Sequence, residues 1–220
     1  MLWDQLSLPW QACLEEAWKA HCAGSIPIGA AIADAGGRVI ARGRNCRWDA
    51  TAEYGLSATR IAHAEMNAIL ALDACDANPS TCTLYTTMEP CPMCMGAIRM
   101  VHLRKVCYAA RDALAGSTSL VDVSPYTRLG RVVHRIEVAG PPRADLESVL
   151  LALQAERLLH YPGSRWASLV READPACGPG IDLGQRLYAS GALQRLCDDG
   201  ASARDAIDLL ARMLDENETG

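Results

Sequence analysis

Phenylalanine is absent from this 220-residue chain, and tryptophan and tyrosine bring the aromatic share to only 5%. Half of the residues are nonetheless apolar. A core of ordinary size must therefore be filled by Leu, Ile, Val, Met and Trp, most simply in one domain with an appendage. No apolar run approaches the length of a membrane span. The start, MLWDQLSLPW, lacks the basic residues and continuous apolar stretch of a signal peptide. These absences lead us to expect a cytoplasmic protein with no membrane partner.

An excess of positive charge is missing too. The formal net charge is −5; residues 1–160 carry 15 Lys and Arg against 16 Asp and Glu, and residues 161–220 carry 6 against 10. Proteins that grip a large nucleic acid usually present a basic face, and these totals force none. Two local groups remain, Arg42, Arg44 and Arg47, and Arg99, Arg104, Lys105 and Arg111. They suit phosphates, or equally the solvated faces of strands and helices.

Cysteine, by contrast, is plentiful at ten residues, yet only Cys91 and Cys94 stand at C-x-x-C spacing. Without a second such pair a zinc ribbon is excluded. A thioredoxin-like motif would close the first strand of a βαβ unit, whereas this one lies mid-chain after a helical pattern. The other cysteines (Cys13, Cys22, Cys46, Cys75, Cys82, Cys107, Cys177 and Cys197) occur singly, mostly in apolar contexts, and read as small buried hydrophobes. Free thiols beside a dithiolate motif fit a reducing compartment.

The pair gains meaning from His63-Ala64-Glu65 upstream and from the prolines in Pro90-Cys91-Pro92-Met93-Cys94. One imidazole and two thiolates make three ligands for zinc. A structural zinc site is closed by four protein ligands, whereas three plus a water can do chemistry. Glu65, two residues from the histidine, is placed to take a proton from that water. The pattern H-x-E … P-C-x-x-C is the signature of zinc deaminases acting on nucleobases, with the glutamate as general acid and base. We therefore expect Zn2+ as cofactor, His63, Cys91 and Cys94 as ligands and Glu65 as the catalytic residue. His21 reads as a partly buried or surface side chain. His102, His134 and His160 have no cysteine or carboxylate at ligand spacing and read as packing or surface residues.

Periodicity organises the rest. Residues 7–23 form an amphipathic helical pattern, with Leu14, Ala17, Trp18 and His21 near 3.6 spacing. The apolar run Ile26 to Ala33, the turn Asp34-Ala35-Gly36-Gly37 and the alternating Arg38 to Gly43 predict a β-hairpin. A polar loop follows over 44–60. A small-residue helix is expected from Ile61 to about Asp73 with the motif histidine and glutamate in its first turn, then a strand over 81–87. A second helix opens at Glu89-Pro90 and carries both cysteines; Glu89 reads as its cap. Further strands are expected over 101–109 and 132–138 and a helix over 144–160. Beyond Tyr161-Pro162-Gly163, three helical patterns follow, the last with Ala206, Ile207, Leu210 and Met213 on one stripe. Alternating helices and strands imply an α/β domain with helices on both faces of a mixed sheet. We place that domain at residues 1–162 and a helical extension, packing against its own domain, at 163–220.

With these residues in view, the chain over about 8–160 resembles the zinc-dependent cytidine/deoxycytidylate deaminase superfamily. Pro27-Ile28-Gly29-Ala30, Asn45, His63-Ala64-Glu65, Thr87 to Cys94 and Met95-Gly96-Ala97-Ile98 are similar to the branch containing guanine deaminase and bacterial tRNA adenosine deaminase. Ala110-Arg111-Asp112, the stretch from Gly116-Ser117 to Asp122, and His134 to Val138 look most like the tRNA enzyme. The resemblance implies a three-layer α/β/α fold around a five-stranded mixed sheet, and a homodimer. It also implies substrate contacts from the Asn45 side chain, from backbone groups of Ala30 and Ala64, and from Asp112. Two departures stand out: the loop between Asn45 and His63 is longer than in the tRNA enzyme, and the residues beyond 163 are extra.

Three functions fit these features. Near-neutral charge in the first 160 residues and an acidic tail favour deamination of a free nucleobase or nucleoside with release of ammonia. The alternative is adenosine-to-inosine deamination in tRNA, with the base extruded into the pocket. From a different class comes a catalytically silent zinc-stabilised interaction module, for which a glutamate beside the open metal vertex has no purpose.

Overall fold

Small apolar residues make β1 (Gly29–Ala33) a fully buried interior strand of a five-stranded mixed sheet. The computed structural model describes residues 1–50, 55–121 and 135–218. The other strands are β2 (Val39–Arg44), β3 (Thr83–Thr86), β4 (Lys105–Tyr108) and β5 (Glu137–Ala139), in the order β2-β1-β3-β4-β5. β1 runs antiparallel to β2 and β3, whereas β3, β4 and β5 are parallel. The expected hairpin turn is present: the Asp34 carboxylate accepts from the amides of Gly36 and Arg38, each at 3.0 Å. Of the strand expected over 132–138, residues 132–134, including His134, lie outside the described residues, as does Asp122.

Four helices cover the sheet: α1 (Leu8–Cys22), α2 (Ala64–Asp73), α3 (Pro92–Met100) and α4 (Ala144–Leu159). Side chains alternate across β1. Ala31 meets Ala12 and Cys13 of α1, while Ala30 and Ile32 join Ala64, Ala68, Ile69, Met95 and Ile98 of α2 and α3 on the other face. With both faces covered, every residue of β1 is buried. The arrangement is the α/β/α sandwich expected of the sequence. Gly43 sets the depth of α2 upon it. A Cβ at this position would stand 2.2 Å from the Ala68 nitrogen and 2.4 Å from the Ala64 carbonyl oxygen, so only glycine lets the helix lie so close to β2.

Helix α2 begins three residues later than the expected start at Ile61. His63 is extended (φ −80°, ψ 154°) and occupies the N-cap, with its carbonyl accepting the first helical bond from the Asn67 amide. The tail also differs in detail. Among the described residues it contains four α-helices rather than three, α5 (Trp166–Ala173), α6 (Gly178–Ser190), α7 (Ala192–Asp198) and α8 (Ala203–Glu218). Gly191, at φ +63°, ends α6 in the left-handed conformation that commonly terminates helices.

The tail packs on the deaminase-like layer. Leu183, Leu187, Leu193, Ala206, Ile207 and Leu210 share one apolar cluster with Leu14 and Trp18 of α1 and Leu146, Leu150 and Leu153 of α4. Trp18 Nε1 donates to the Ala201 carbonyl at 2.8 Å, and the Trp3 amide to Asp208 at 3.0 Å. A disulfide joins Cys22 to Cys197. That corrects the expectation of free thiols at both positions: the two cysteines lie 175 residues apart in sequence and meet only when the tail folds back. His21 needs correction as well, and His160, a surface residue as expected, has a carboxylate partner that was not expected. His21 is 3% exposed, and both histidines reach Glu156 of α4, at 2.8 Å and 2.9 Å. No helix among the described residues is long and apolar enough to cross a membrane.

Candidate active site

The N-termini of α2 and α3 converge, and each begins on a motif residue: His63 is the N-cap of α2 and Cys91 the N-cap of α3, where Pro92 opens the helix. Proline suits that first position, since its missing N–H has no helical partner in any case. Cys94 follows in the first turn of α3. Partial positive charge at the two helix ends favours thiolate over thiol.

His63 Nδ1 lies 3.6 Å from both Cys91 Sγ and Cys94 Sγ, and the two sulfurs are 3.7 Å apart. A tetrahedral zinc with sulfur at about 2.3 Å and nitrogen at about 2.0–2.1 Å spaces its ligand atoms about 3.8 Å (sulfur to sulfur) and about 3.6 Å (nitrogen to sulfur) apart. The triangle therefore has the dimensions of three corners of a zinc tetrahedron. Among the described residues this metal-ligating group consists of these three side chains, without Glu65. The protons of the triad tell the same story. Hydrogen bonding from Cys94, opposed by burial and assisted by His63, holds Cys91 down at about 4. The neighbouring Cys91 sulfur and burial drive Cys94 the other way. The opposite shifts of two adjacent sulfurs mark a place where a cation fits.

Glu65 is 4% exposed, and its Oε2 lies 3.5 Å from Cys94 Sγ. It therefore stands beside the triad without joining it. Thr86 at the end of β3 donates its hydroxyl to Glu65 Oε1 at 3.3 Å, and burial raises the Glu65 pKa. Thr86 is a residue that sequence reasoning passed over; a polar side chain ending a buried strand just ahead of Glu89-Pro90 was the available signal.

The substrate-facing expectations fall in different places. Asn45 is 1% exposed, and its Oδ1 accepts from Ser25 Oγ at 2.8 Å and the Arg47 amide at 3.0 Å. The remaining half of its amide is a donor. Ala30 and Ala64 are both fully buried, in β1 and the first residue of α2; the amide of a first helical residue has no carbonyl one turn earlier to bond. Asp112 Oδ1 accepts from the amides of Leu114 and Ala115, each at 3.0 Å. Glu89 does not cap α3. Its carboxylate accepts instead from the Asp112 amide (3.4 Å) and from the Thr118 amide (3.2 Å) and hydroxyl (2.5 Å), tying down the loop after β4.

Three arginines of the local groups are engaged with acids. Arg42 pairs with Glu15, Arg44 with Asp49 at 2.6 Å, and Arg111 with Glu147 at 2.8 Å. Arg47 behaves differently. Its guanidinium lies over the Trp48 ring at 5.3 Å, and Trp48, 37% exposed, packs against Tyr161 with ring centres 3.8 Å apart and the planes tilted by 32°. The Cys91 sulfur beside His63 raises the His63 pKa, opposed by burial and, weakly, by Arg47.

Residues 4–110 match the family described as the cytidine and deoxycytidylate deaminase zinc-binding region. The chain is 37% identical over 145 residues to a tRNA-specific adenosine deaminase of Bacillus subtilis, covering 64% of this chain and 81% of that protein. It is 35% identical over 117 residues to a tRNA(Ile)-lysidine synthase of Deinococcus deserti, a match over 52% of this chain that spans only 20% of that protein. A solved guanine deaminase from Bacillus subtilis shares 38% identity over 45% of this chain and 60% of its own, with a TM-score of 0.37. The chain belongs to the cytidine and deoxycytidylate deaminase superfamily. It is a hydrolytic deaminase acting on a C–N bond, with zinc as its cofactor.

Proposed function

We propose that the chain converts adenosine to inosine in tRNA. The observation that carries this reading is its 37% identity across 81% of a tRNA-specific adenosine deaminase, joined to a triad of zinc dimensions. Net charge alone placed a free base or nucleoside first, but that bulk property says less than a match over most of a relative's length. The Arg47–Trp48–Tyr161 cluster supports the same choice. A half-exposed aromatic ledge carrying a guanidinium, two to three residues beyond Asn45, suits stacking against an unpaired nucleotide and contact with its phosphate.

In this reading His63, Cys91 and Cys94 hold zinc and Glu65 moves the protons. Zinc bound there supplies a water acidified to near neutral pH. Glu65 takes one proton from the attacking water and delivers it to a ring nitrogen, then takes the second from the added hydroxyl and passes it to the departing amine as the C–N bond breaks, so one buried carboxylate alternates between base and acid. The Asn45 side-chain amide donates to the flat base, with backbone groups of Ala30 and Ala64 beside it. Asp112 shapes the neighbouring loop. Residues 1–162 carry the chemistry and 163–220 brace it. Exposed Ile61, Leu70 and Met100 on and beside α2 and α3 supply apolar surface for a homodimer, and a tRNA substrate fits a cytoplasmic enzyme.

The test is an ammonia-release and mass-shift assay of zinc-loaded protein on an anticodon hairpin containing adenosine, beside guanine, guanosine, adenosine and cytidine. Inosine in the hairpin, with binding that weakens steeply as salt is added, is the expected result. Ammonia from a free base or nucleoside with none from RNA would replace the substrate, and bound zinc with no ammonia from any of them would favour the interaction module.

A further inference from the structure

A second histidine and two cysteines meet at the opposite end of α1. His21 Nδ1 lies 3.7 Å from Cys197 Sγ, and the donor atoms of His21, Cys22 and Cys197 all fall within 4.8 Å of one another. The nitrogen-to-sulfur separation nearly repeats the 3.6 Å of the His63 triad. The difference is the covalent bond between the two sulfurs.

The imidazole is held ready whatever the sulfurs do. Its Nε2 is 2.8 Å from Glu156 Oε2, with both side chains almost wholly buried, and the ring stacks on Trp18 at 5.2 Å with a 12° tilt. A carboxylate on the far nitrogen of a metal-binding histidine fixes the ring's orientation and raises the basicity of the nitrogen that faces the metal. Glu156 is in turn steadied by His160 at 2.9 Å. Packing alone explains a buried histidine, but it gives no reason for the free nitrogen to be aimed at a cysteine pair while a buried carboxylate holds the other.

We propose that the Cys22–Cys197 disulfide is the oxidised form of a second metal site, in which His21 Nδ1 and two thiolates bind a thiophilic divalent cation such as zinc. A dithiol reductant opens the site. One of its sulfurs attacks the disulfide, the Cys22–Cys197 bond breaks, and the second sulfur releases the reductant as its own disulfide. Two electrons pass to the cysteine pair, which takes up two protons as thiols and gives them up again when the cation binds. Cys22 ends α1 and Cys197 lies in α7, so the helical extension has two alternative fastenings to the sheet domain, a covalent one under oxidising conditions and a coordinated one under reducing conditions.

Full-length protein stripped of metal is divided into a sample with the disulfide intact, verified by thiol counting, and a sample reduced with dithiothreitol and desalted anaerobically. Each is titrated with Co2+ and then Zn2+. The oxidised protein is expected to bind one equivalent, at His63, Cys91 and Cys94. The reduced protein is expected to bind two, the second adding its own thiolate-to-cobalt charge-transfer absorption. Cys22→Ser, at an exposed position that tolerates the change, should abolish the second equivalent and spare the first, and His21→Gln should do the same where it folds. A single equivalent in both redox states, or a second one that survives Cys22→Ser, would overturn the proposal. A reduced Cys91→Ala/Cys94→Ala protein keeping one equivalent, lost on oxidation, would support it independently of the active site.

Discussion

Asn67 grips Leu56 by both of its backbone groups: the side-chain oxygen accepts the Leu56 amide at 2.7 Å, and the side-chain nitrogen donates to the Leu56 carbonyl at 3.0 Å. The same nitrogen donates to the Arg44 carbonyl at 2.9 Å. Asn67 thus joins the first turn of α2, the end of β2 and the segment leading to His63. Asn67→Ala leaves part-buried partners unpaired, each at up to about 1–3 kcal/mol. We expect a loss of about 2–4 kcal/mol in urea unfolding, and a weaker hold on zinc because His63 is no longer fixed from behind.

Glu65→Gln preserves size and burial but cannot carry a proton between water and base. Zinc content should stay at the wild-type value, whereas the deamination rate should fall by about 10²- to 10⁴-fold, the range ascribed to one general acid–base group. Zinc analysis alongside single-turnover rates separates the two effects. A variant that keeps most of the wild-type rate would remove Glu65 from proton transfer.

Removing zinc should cost stability as well as activity, because the metal joins the start of α2 to the start of α3. A ligand at a thousandfold its dissociation constant stabilises the folded state by about 4 kcal/mol. Chelation should therefore lower the unfolding midpoint clearly, and added zinc should restore both the midpoint and ammonia release. The disulfide between Cys22 and Cys197 contains none of these ligands, so the chelator effect should persist in oxidised protein.

Gly43→Ala tests how α2 is seated. The added methyl would fall 2.2 Å from a backbone nitrogen of α2, and backbone cannot step aside as a flexible side chain can. Overpacking of this kind costs about 1–3 kcal/mol, and this variant should sit at or above the upper end. Since α2 carries His63 and Glu65, its displacement should lower zinc affinity too, whereas Gly37→Ala in the exposed hairpin turn should leave the metal untouched.

The parts of the molecule legible in the sequence are those written in short-range patterns. Alternation over Arg38 to Gly43 and the Asp34 to Gly37 turn announced the β1–β2 hairpin, and the spacing of His63, Glu65, Cys91 and Cys94 announced a three-ligand group. What stayed hidden depends on partners distant in sequence. His21 looked amphipathic because its buried acceptor, Glu156, lies 135 residues away, and Cys22 looked solitary because Cys197 arrives from the tail. Glu89 was read as a cap because it stands just before a helix, the usual place for one. Its bonds run to the loop at Asp112 and Thr118 instead, contacts that arise only once β4 lies beside β3. The fourth tail helix was missed for a local reason: one glycine, Gly191, divides what periodicity reads as a single run.

Glu89 invites a direct test because it lies beside the Pro90-Cys91 motif and resembles a second catalytic carboxylate. Its two oxygens accept three hydrogen bonds from Asp112 and Thr118, and a group so engaged is a positioning residue. Glu89→Gln keeps one acceptor and the side-chain volume, so activity should stay within about tenfold of wild type, at a cost of about 1–2 kcal/mol from the weakened bonds. Glu89→Ala releases the loop entirely. It should lose about 2–4 kcal/mol by the same reasoning and raise KM more than it lowers kcat, because the loop borders the site while Glu65 and the triad stay in place. A fall in kcat for Glu89→Gln as deep as that for Glu65→Gln, with KM and stability unchanged, would instead make Glu89 a participant in the reaction.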